Sequence, residues 1–262
     1  MSLIVSWNIN SARSHLALLI KFLEEYKPEV LLLQEIKCIE ENFPKLELED
    51  LGYNIAIHGQ KTYNGVAILS KGKIEDVQKN LPHDSDDQSR YIEAITYINN
   101  KSLRIASVYV PNGQEVGSDK FQYKLQFFDK LTKHLKQVAQ WEELLLVGGD
   151  YNVAPNNIDV YSPKDLEGSV CFHPTERKLF KELLSDCNLH DTYRVQHPQK
   201  SEYSWWDYRA GSWQQNHGLR IDQFLASPEA MDKLTASGIY KEVRGWEKTS
   251  DHAPIFCRLG LS

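Results

Sequence analysis

The strongest constraint on the fold is a series of short, almost wholly apolar runs that each break off into polar residues. LIVSW (residues 3–7) leads into Asn8 and Asn10, EVLLLQE (29–35) closes on Gln34 and Glu35, and LLLVGGD (144–150) closes on Asp150, with Asn152 two residues on. Runs of this length, rich in Leu, Ile and Val, read as strands buried on both faces. GVAILS (65–70), YIEAITYI (91–98), LRIASVYVP (103–111), RIDQFLAS (220–227) and APIFCRL (253–259) add further strands, of which 91–98 alternates. Helical patterns lie between them. Leu16, Leu19, Ile20 and Leu23 recur at helical spacing before Pro28, and Phe121, Leu125, Phe128, Leu135 and Val138 form one stripe of a helix over 121–141. A third helix follows Pro174, with Phe180, Leu183, Leu184 and Cys187 inward. Strands that alternate with covering helices make an α/β protein. Two tips that deliver Asn beside a polar partner, SWNIN and GGDYN, hint at a duplication and a two-sheet sandwich.

Length and composition set the outer bounds. The 262 residues, 41% of them hydrophobic, can bury a large core; length alone would permit two domains, but with no linker, low-complexity segment or short repeat they read as one domain over 1–262. The four cysteines (Cys38, Cys171, Cys187, Cys257) are scattered without a CxxC pair, which argues for reduced thiols and a cytoplasmic setting. The opening MSLIVSWNIN has no basic or long apolar signal-peptide segment, and no run approaches the roughly 20 apolar residues of a membrane span. A net charge of -6 argues weakly against nucleic acid, yet a local basic face or a metal-binding carboxylate cluster is compatible with it.

The polar groups at the strand ends carry the chemical information. They are Asn8 and Asn10, Gln34 and Glu35, Tyr109 and Asn112, Asp150 and Asn152, Asp222, and Asp251 with His252. Any one of them has an ordinary explanation: a turn residue, a solvated charge, a core tyrosine with its hydroxyl at the rim. Their recurrence beside buried runs is what unrelated turns do not predict, because ligands of open α/β sheets bind at such edges. Oxygen-rich ligands suit a hard cation such as Mg²⁺ or Mn²⁺. HExxH, Cys/His clusters, G-x-S-x-G and a Walker loop are all absent, which disfavours zinc, serine-hydrolase and P-loop chemistry. The set fits a phosphodiesterase.

SWNINSAR, LLLQEIK, VYVPNG, VGGDYNVAP, GLRIDQFLAS and SDHAPI occur in the order found in the exonuclease III family, which contains apurinic/apyrimidinic (AP) endonucleases. The chain resembles that family from Ser6 to Ile255. The resemblance implies a four-layer α/β sandwich, two central mixed sheets flanked by helices. It further implies Mg²⁺-dependent incision of DNA 5′ to an abasic site, with 3′→5′ exonuclease or 3′-end-cleaning activity. Glu35 resembles the principal metal ligand, Asn8 a metal-side or phosphate-side partner, and Asp251 an outer metal or water ligand. Asp150 is similar to the residue that orients or deprotonates water, Asn152 to a phosphate-gripping carboxamide, and Tyr109 to the phenol on the phosphate. Asp222 and His252 resemble the pair that turns the imidazole to the scissile phosphate, and the role of Asn10 is less defined.

For the substrate, double-stranded DNA with abasic sites or blocked 3′ ends bound by a monomer, Trp205, Trp206, Trp213, Leu219 and Ile221 suggest an apolar pocket for a flipped-out sugar. Trp213, in AGSWQQNHG, reads as an exposed aromatic on DNA. Arg13, Lys61, Asn64, Asn112, Lys120, Lys124, Arg177 and Arg209 are the candidate phosphate contacts. The competing readings are a non-specific DNase or another phosphodiesterase of the same superfamily, and a binding module on a retired catalytic fold. Relatives of the first kind generally carry His where this chain has Tyr109, and the second predicts lost ligands.

Overall fold

The computed structural model describes residues 1–82 and 86–261. One sheet contains β1 (Ser2–Asn8), β2 (Val30–Gln34), β3 (Asn54–His58), β4 (Val66–Ser70), β11 (Leu234–Ile239) and β12 (Ile255–Leu259). The other contains β5 (Ile74–Lys79), β6 (Tyr91–Ile98), β7 (Lys101–Tyr109), β8 (Leu145–Asp150), β9 (His190–Asp191) and β10 (Asp222–Ala226). Their orders are β11-β12-β1-β2-β4-β3 and β5-β6-β7-β8-β10-β9. Each sheet has one parallel pair at its centre, β1 with β2 and β7 with β8, and antiparallel neighbours outside it. The hinted duplication is therefore present as a shared strand pattern.

The sandwich has four layers, as its side chains require. Ile4, Val30, Leu32 and Ile68 of the first sheet meet Ile92, Ile105, Leu146 and Phe224 of the second in the central layer. The opposite face of the first sheet, with Val5, Trp7, Leu31 and Leu33, packs on Leu19, Phe22 and Leu23 of the helix Leu16–Tyr26. Ala106, Val108, Leu145 and Val147 pack on Phe127, Phe128, Leu131 and Leu135 of the helix Asp119–Val138 and on Phe180 and Leu183 of the helix Pro174–Asp186. Strands covered on both faces have no solvent side, which explains why the central ones read as continuous apolar runs.

Two boundaries differ from the periodicity. The long helix begins at Asp119 because the Ser118 hydroxyl caps it, accepting from the Phe121 N–H at 3.2 Å, and its last residues, Ala139–Trp141, tighten into a 3-10 turn. Its inward stripe includes Lys124 and His134, while Leu125 is only half-buried. Polar residues on that stripe hide it from a hydrophobic count. Four strands, β3, β5, β9 and β11, were not expected. Edge positions leave them partly exposed and short, so they lack an apolar run. No helix among the described residues is long and apolar enough to cross a membrane.

Candidate active site

Alternation along the strands decides which side chains enter the gap between the sheets. Ile4 faces the gap, so Ser6 and then Asn8 follow it there. By the same count Gln34 follows Leu32, Tyr109 follows Ile105 and Ser107, Asp150 follows Leu146 and Gly148, and Asp222 precedes Phe224. Pairing then sets them level: Asn8 beside Gln34, Tyr109 beside Asp150, and Asp150 beside Asp222. Gly148 is required here. A Cβ on it would stand 2.4 Å from the Phe224 ring and 2.8 Å from Leu32, so the sheets close tightly just below the polar tips.

Asp150 is buried at the centre of this cluster. Its Oδ2 accepts from Asn8 Nδ2 at 3.0 Å and Asn152 Nδ2 at 3.3 Å, and its Oδ1 accepts from the Asn152 N–H at 2.8 Å. The last bond closes an Asx turn. Asn152 is in the left-handed region (φ 51°), so the two side chains meet through a turn and not through the extended geometry that their spacing suggests. Asn152 Nδ2 is spent on Val110 O (2.9 Å) and on Asp150, while its Oδ1 accepts from Asn112 Nδ2 at 3.0 Å. As placed, this carboxamide aims a carboxylate.

His252 completes the centre. Its Nδ1 donates to Asp222 Oδ2 at 2.9 Å, and its Nε2 lies 3.7 Å from Asp150 Oδ2. Asp222 is itself held by the Ser204 hydroxyl at 2.6 Å, and the Ser250 hydroxyl accepts from the His252 N–H. Burial alone would push the imidazole down, but Asp222 and Asp150 lift it to about 10. Burial first, then the charges of Asp222 and Glu35, push Asp150 up to about 7 against the pull of His252. Tyr109 rises well above its ordinary 10.0 through burial and the negative charge of Glu35 and Asp150, so its phenol stays protonated.

The ligand atoms of Glu35, Asp150 and His252 lie within 4.8 Å of one another. Glu35 follows β2 in the left-handed region (φ 50°), pairs with Lys37 at 2.9 Å and accepts from Asn8 Nδ2 at 2.8 Å. Glu35 and Asp150 offer carboxylate oxygens of the kind a hard divalent cation takes, while the imidazole, held protonated by Asp222 and Asp150, has no lone pair to offer it. The expected partners of Glu35 differ. Asn8 sits between two carboxylates, so its nitrogen faces them and its oxygen accepts the Asn10 N–H at 3.1 Å. Asp251 lines the same cleft, but its oxygens accept from Asn10 Nδ2 (3.0 Å) and Trp205 Nε1 (2.9 Å).

The cleft above the cluster holds about 990 Å³. Glu35, Tyr109, Asn112, Asp150, Asn152, Asp251 and His252 line it, with Trp205, Leu219 and Ile221 as an apolar wall. Arg220, between the last two, points the other way into a buried ion pair with Asp159 (2.6 Å) and Asp191 (2.8 Å). Tyr161 and His217, not anticipated, stack at 4.4 Å on this cleft. The only hint in sequence was His217 just before GLRID.

The candidate DNA contacts are spread over several places. Trp213 packs edge-on against the buried Trp206 at 4.8 Å and is not among the cleft residues; a satellite core claims both rings. Arg177 pairs with Glu167 at 2.8 Å, lies over the Phe172 ring and lines a separate groove. Lys124 is fully buried, Asn64 is buried against Gln60 and Gln88, and Arg209 is paired with Asp207 at 2.8 Å. Arg13 is exposed near the tip of β1, outside the cleft lining, and Lys120 donates to Gln114 Oε1 at 2.7 Å.

The sequence pattern of the Endonuclease/Exonuclease/phosphatase family matches residues 5–252. The chain is 34% identical to Exodeoxyribonuclease III of Haemophilus influenzae, covering 96% of this chain and 97% of the relative. Among solved structures it is similar to a 3′ phosphatase from Neisseria bound to a product DNA hairpin (35% identity, TM-score 0.95, all of both chains). It is also similar to an AP endonuclease from Archaeoglobus fulgidus (35% identity, TM-score 0.94, all of both chains).

Proposed function

We propose that this chain, which belongs to the exonuclease III branch of the endonuclease/exonuclease/phosphatase family, is a DNA repair nuclease that incises the backbone 5′ to abasic sites and trims blocked 3′ ends. The observation that carries the reading is the convergence of Glu35, Tyr109, Asp150, Asn152 and His252, the last backed by Asp222, in one cleft that also has an apolar wall. A phosphate needs the polar floor, and a base-free sugar needs the wall formed by Trp205, Leu219 and Ile221. The protein acts as a monomer in the cytoplasm, where its cysteines, all free among the described residues, stay reduced.

The family depends on a divalent metal; for this chain we assign Mg²⁺, with Mn²⁺ as a substitute, to the cleft beside Glu35, whose carboxylate would hold it. The cation supplies positive charge that polarises the phosphoryl oxygens. Asp150, raised to about 7 and aimed by Asn152 and Asn8, orients a water and takes its proton. The water oxygen bonds to phosphorus as the bond from phosphorus to the upstream 3′ oxygen breaks. The departing 3′ oxygen takes a proton from solvent water and Asp150 returns its own to solvent, so the products are a 3′-hydroxyl and a 5′-phosphate on the abasic sugar. His252, oriented by Asp222 and cationic at neutral pH, faces the charge that develops on the phosphate, and the protonated Tyr109 phenol supplies a neutral donor.

The chemistry of the nick tests this assignment. A duplex with one central abasic analogue should yield an upstream end that a DNA polymerase extends directly. An upstream end blocked by a 3′ phosphate or a sugar remnant would assign the chain a different reaction.

A further inference from the structure

Lys124 and Glu176 are fully buried and form an ion pair, and the mechanism above uses neither. The lysine lies one turn into the helix Asp119–Val138, and the glutamate sits in the first turn of the helix Pro174–Asp186. Each ammonium proton has an acceptor: Asn152 O at 2.6 Å, Asn112 O at 3.1 Å, and Glu176 Oε1. The carboxylate also receives the Cys171 N–H at 3.3 Å on Oε1 and the His173 N–H at 3.0 Å on Oε2. The pair thus ties together the end of β7, the end of β8 and the segment carrying Cys171. The two carbonyls it grips belong to the residues whose carboxamides bond each other and hold Asp150. A buried ion pair is weak evidence for stability, since apolar replacements are often as stable. Its acceptors here are the backbone of the site.

We propose that Lys124 and Glu176 form a buried ionic clasp that positions Asn112 and Asn152, and through Asn152 the carboxylate of Asp150, for hydrolysis. The inference rests on the nuclease reading of the cleft. Lys124 and Glu176 are positioning residues that touch neither water nor phosphate.

Lys124→Met removes the three donors, and Glu176→Gln keeps the shape while removing the charge; the second variant serves if the first does not fold. The side-chain carboxamide resonances of Asn112 and Asn152, measured by ¹⁵N NMR without DNA, read the clasp directly. They should shift and exchange faster with water in the variant. The carboxamide of Asn54, held by backbone carbonyls beyond β4, should not move. Unmoved Asn112 and Asn152 signals in a folded variant overturn the clasp. On the abasic duplex, kcat should fall about 100-fold with little change in KM. In an Asn152→Ala background the same substitution should cost less than about threefold, because its target is gone. Equal losses in both backgrounds would make the pair merely structural. If the wild-type enzyme fails to incise, the nuclease reading fails, and the NMR measurement still decides the clasp.

Discussion

At the scale of single residues, function depends on groups whose surroundings change their chemistry. Glu35 is turned into a left-handed backbone conformation that a glutamate rarely adopts, which aims it at Asp150 and His252. Glu35→Ala should therefore raise the Mg²⁺ concentration needed for half-maximal activity; an unchanged metal titration would move the ligand elsewhere. Asp150→Asn keeps the shape but loses the proton acceptor, so kcat should fall by about 10²–10⁴ with DNA binding retained, measured by single-turnover cleavage and fluorescence anisotropy. Turnover near wild type would remove Asp150 from that role. The polar strand tips were legible because each directly follows or precedes an apolar run. Lys124 was not: its partner Glu176 lies 52 positions away, and nothing local separates a buried lysine from a solvated one. The partners of Trp213 and Arg177 were hidden for the same reason, since Trp206 and Glu167 meet them only in three dimensions.

At the scale of elements, strand pairing and close packing hold the tips level. Gly148→Val would drive methyl groups into Phe224 and Leu32 where even a Cβ has no room. It should destabilise the fold by about 1–3 kcal/mol or more, read as a lower urea midpoint, and should also lower activity by parting the sheets beneath Asp150. A stable, fully active Gly148→Val protein would show that the sheets need not approach so closely. Ser118→Ala should cost about 1 kcal/mol through loss of the helix cap. The central strands were readable because they are covered on both faces. Edge strands β3, β5 and β11 were not, because partial exposure relaxes their pattern.

At the scale of the whole molecule, two sheets with one strand pattern place two parallel pairs face to face, and the polar groups of the site collect where those pairs stop. Outside the catalytic cluster, buried charge ties the sandwich to its helices. Burial alone would raise Glu93, yet bonds from His134 and Tyr91 and the Arg104 ion pair hold its carboxyl below the ordinary 4.5. Asp159 is likewise held below 3.8 by Arg220 and Arg194 despite burial. Both values are depressed in the folded state, so the stability these groups give is fully present above 4.5 and is lost as the pH falls through the folded values. Glu93→Gln should lower stability by about 3 kcal/mol at neutral pH and flatten the acid limb of the urea midpoint against pH. An acid limb as steep as that of the wild type would reassign the effect. The net charge of -6 was uninformative, because sums over the surface do not register one cleft. The most direct test of the account compares a labelled duplex bearing one abasic analogue with the same duplex undamaged, each with Mg²⁺ and with EDTA. The account predicts incision at the abasic site with Mg²⁺ and none with EDTA. Equal breakdown of both duplexes, or cleavage that persists in EDTA, would contradict it.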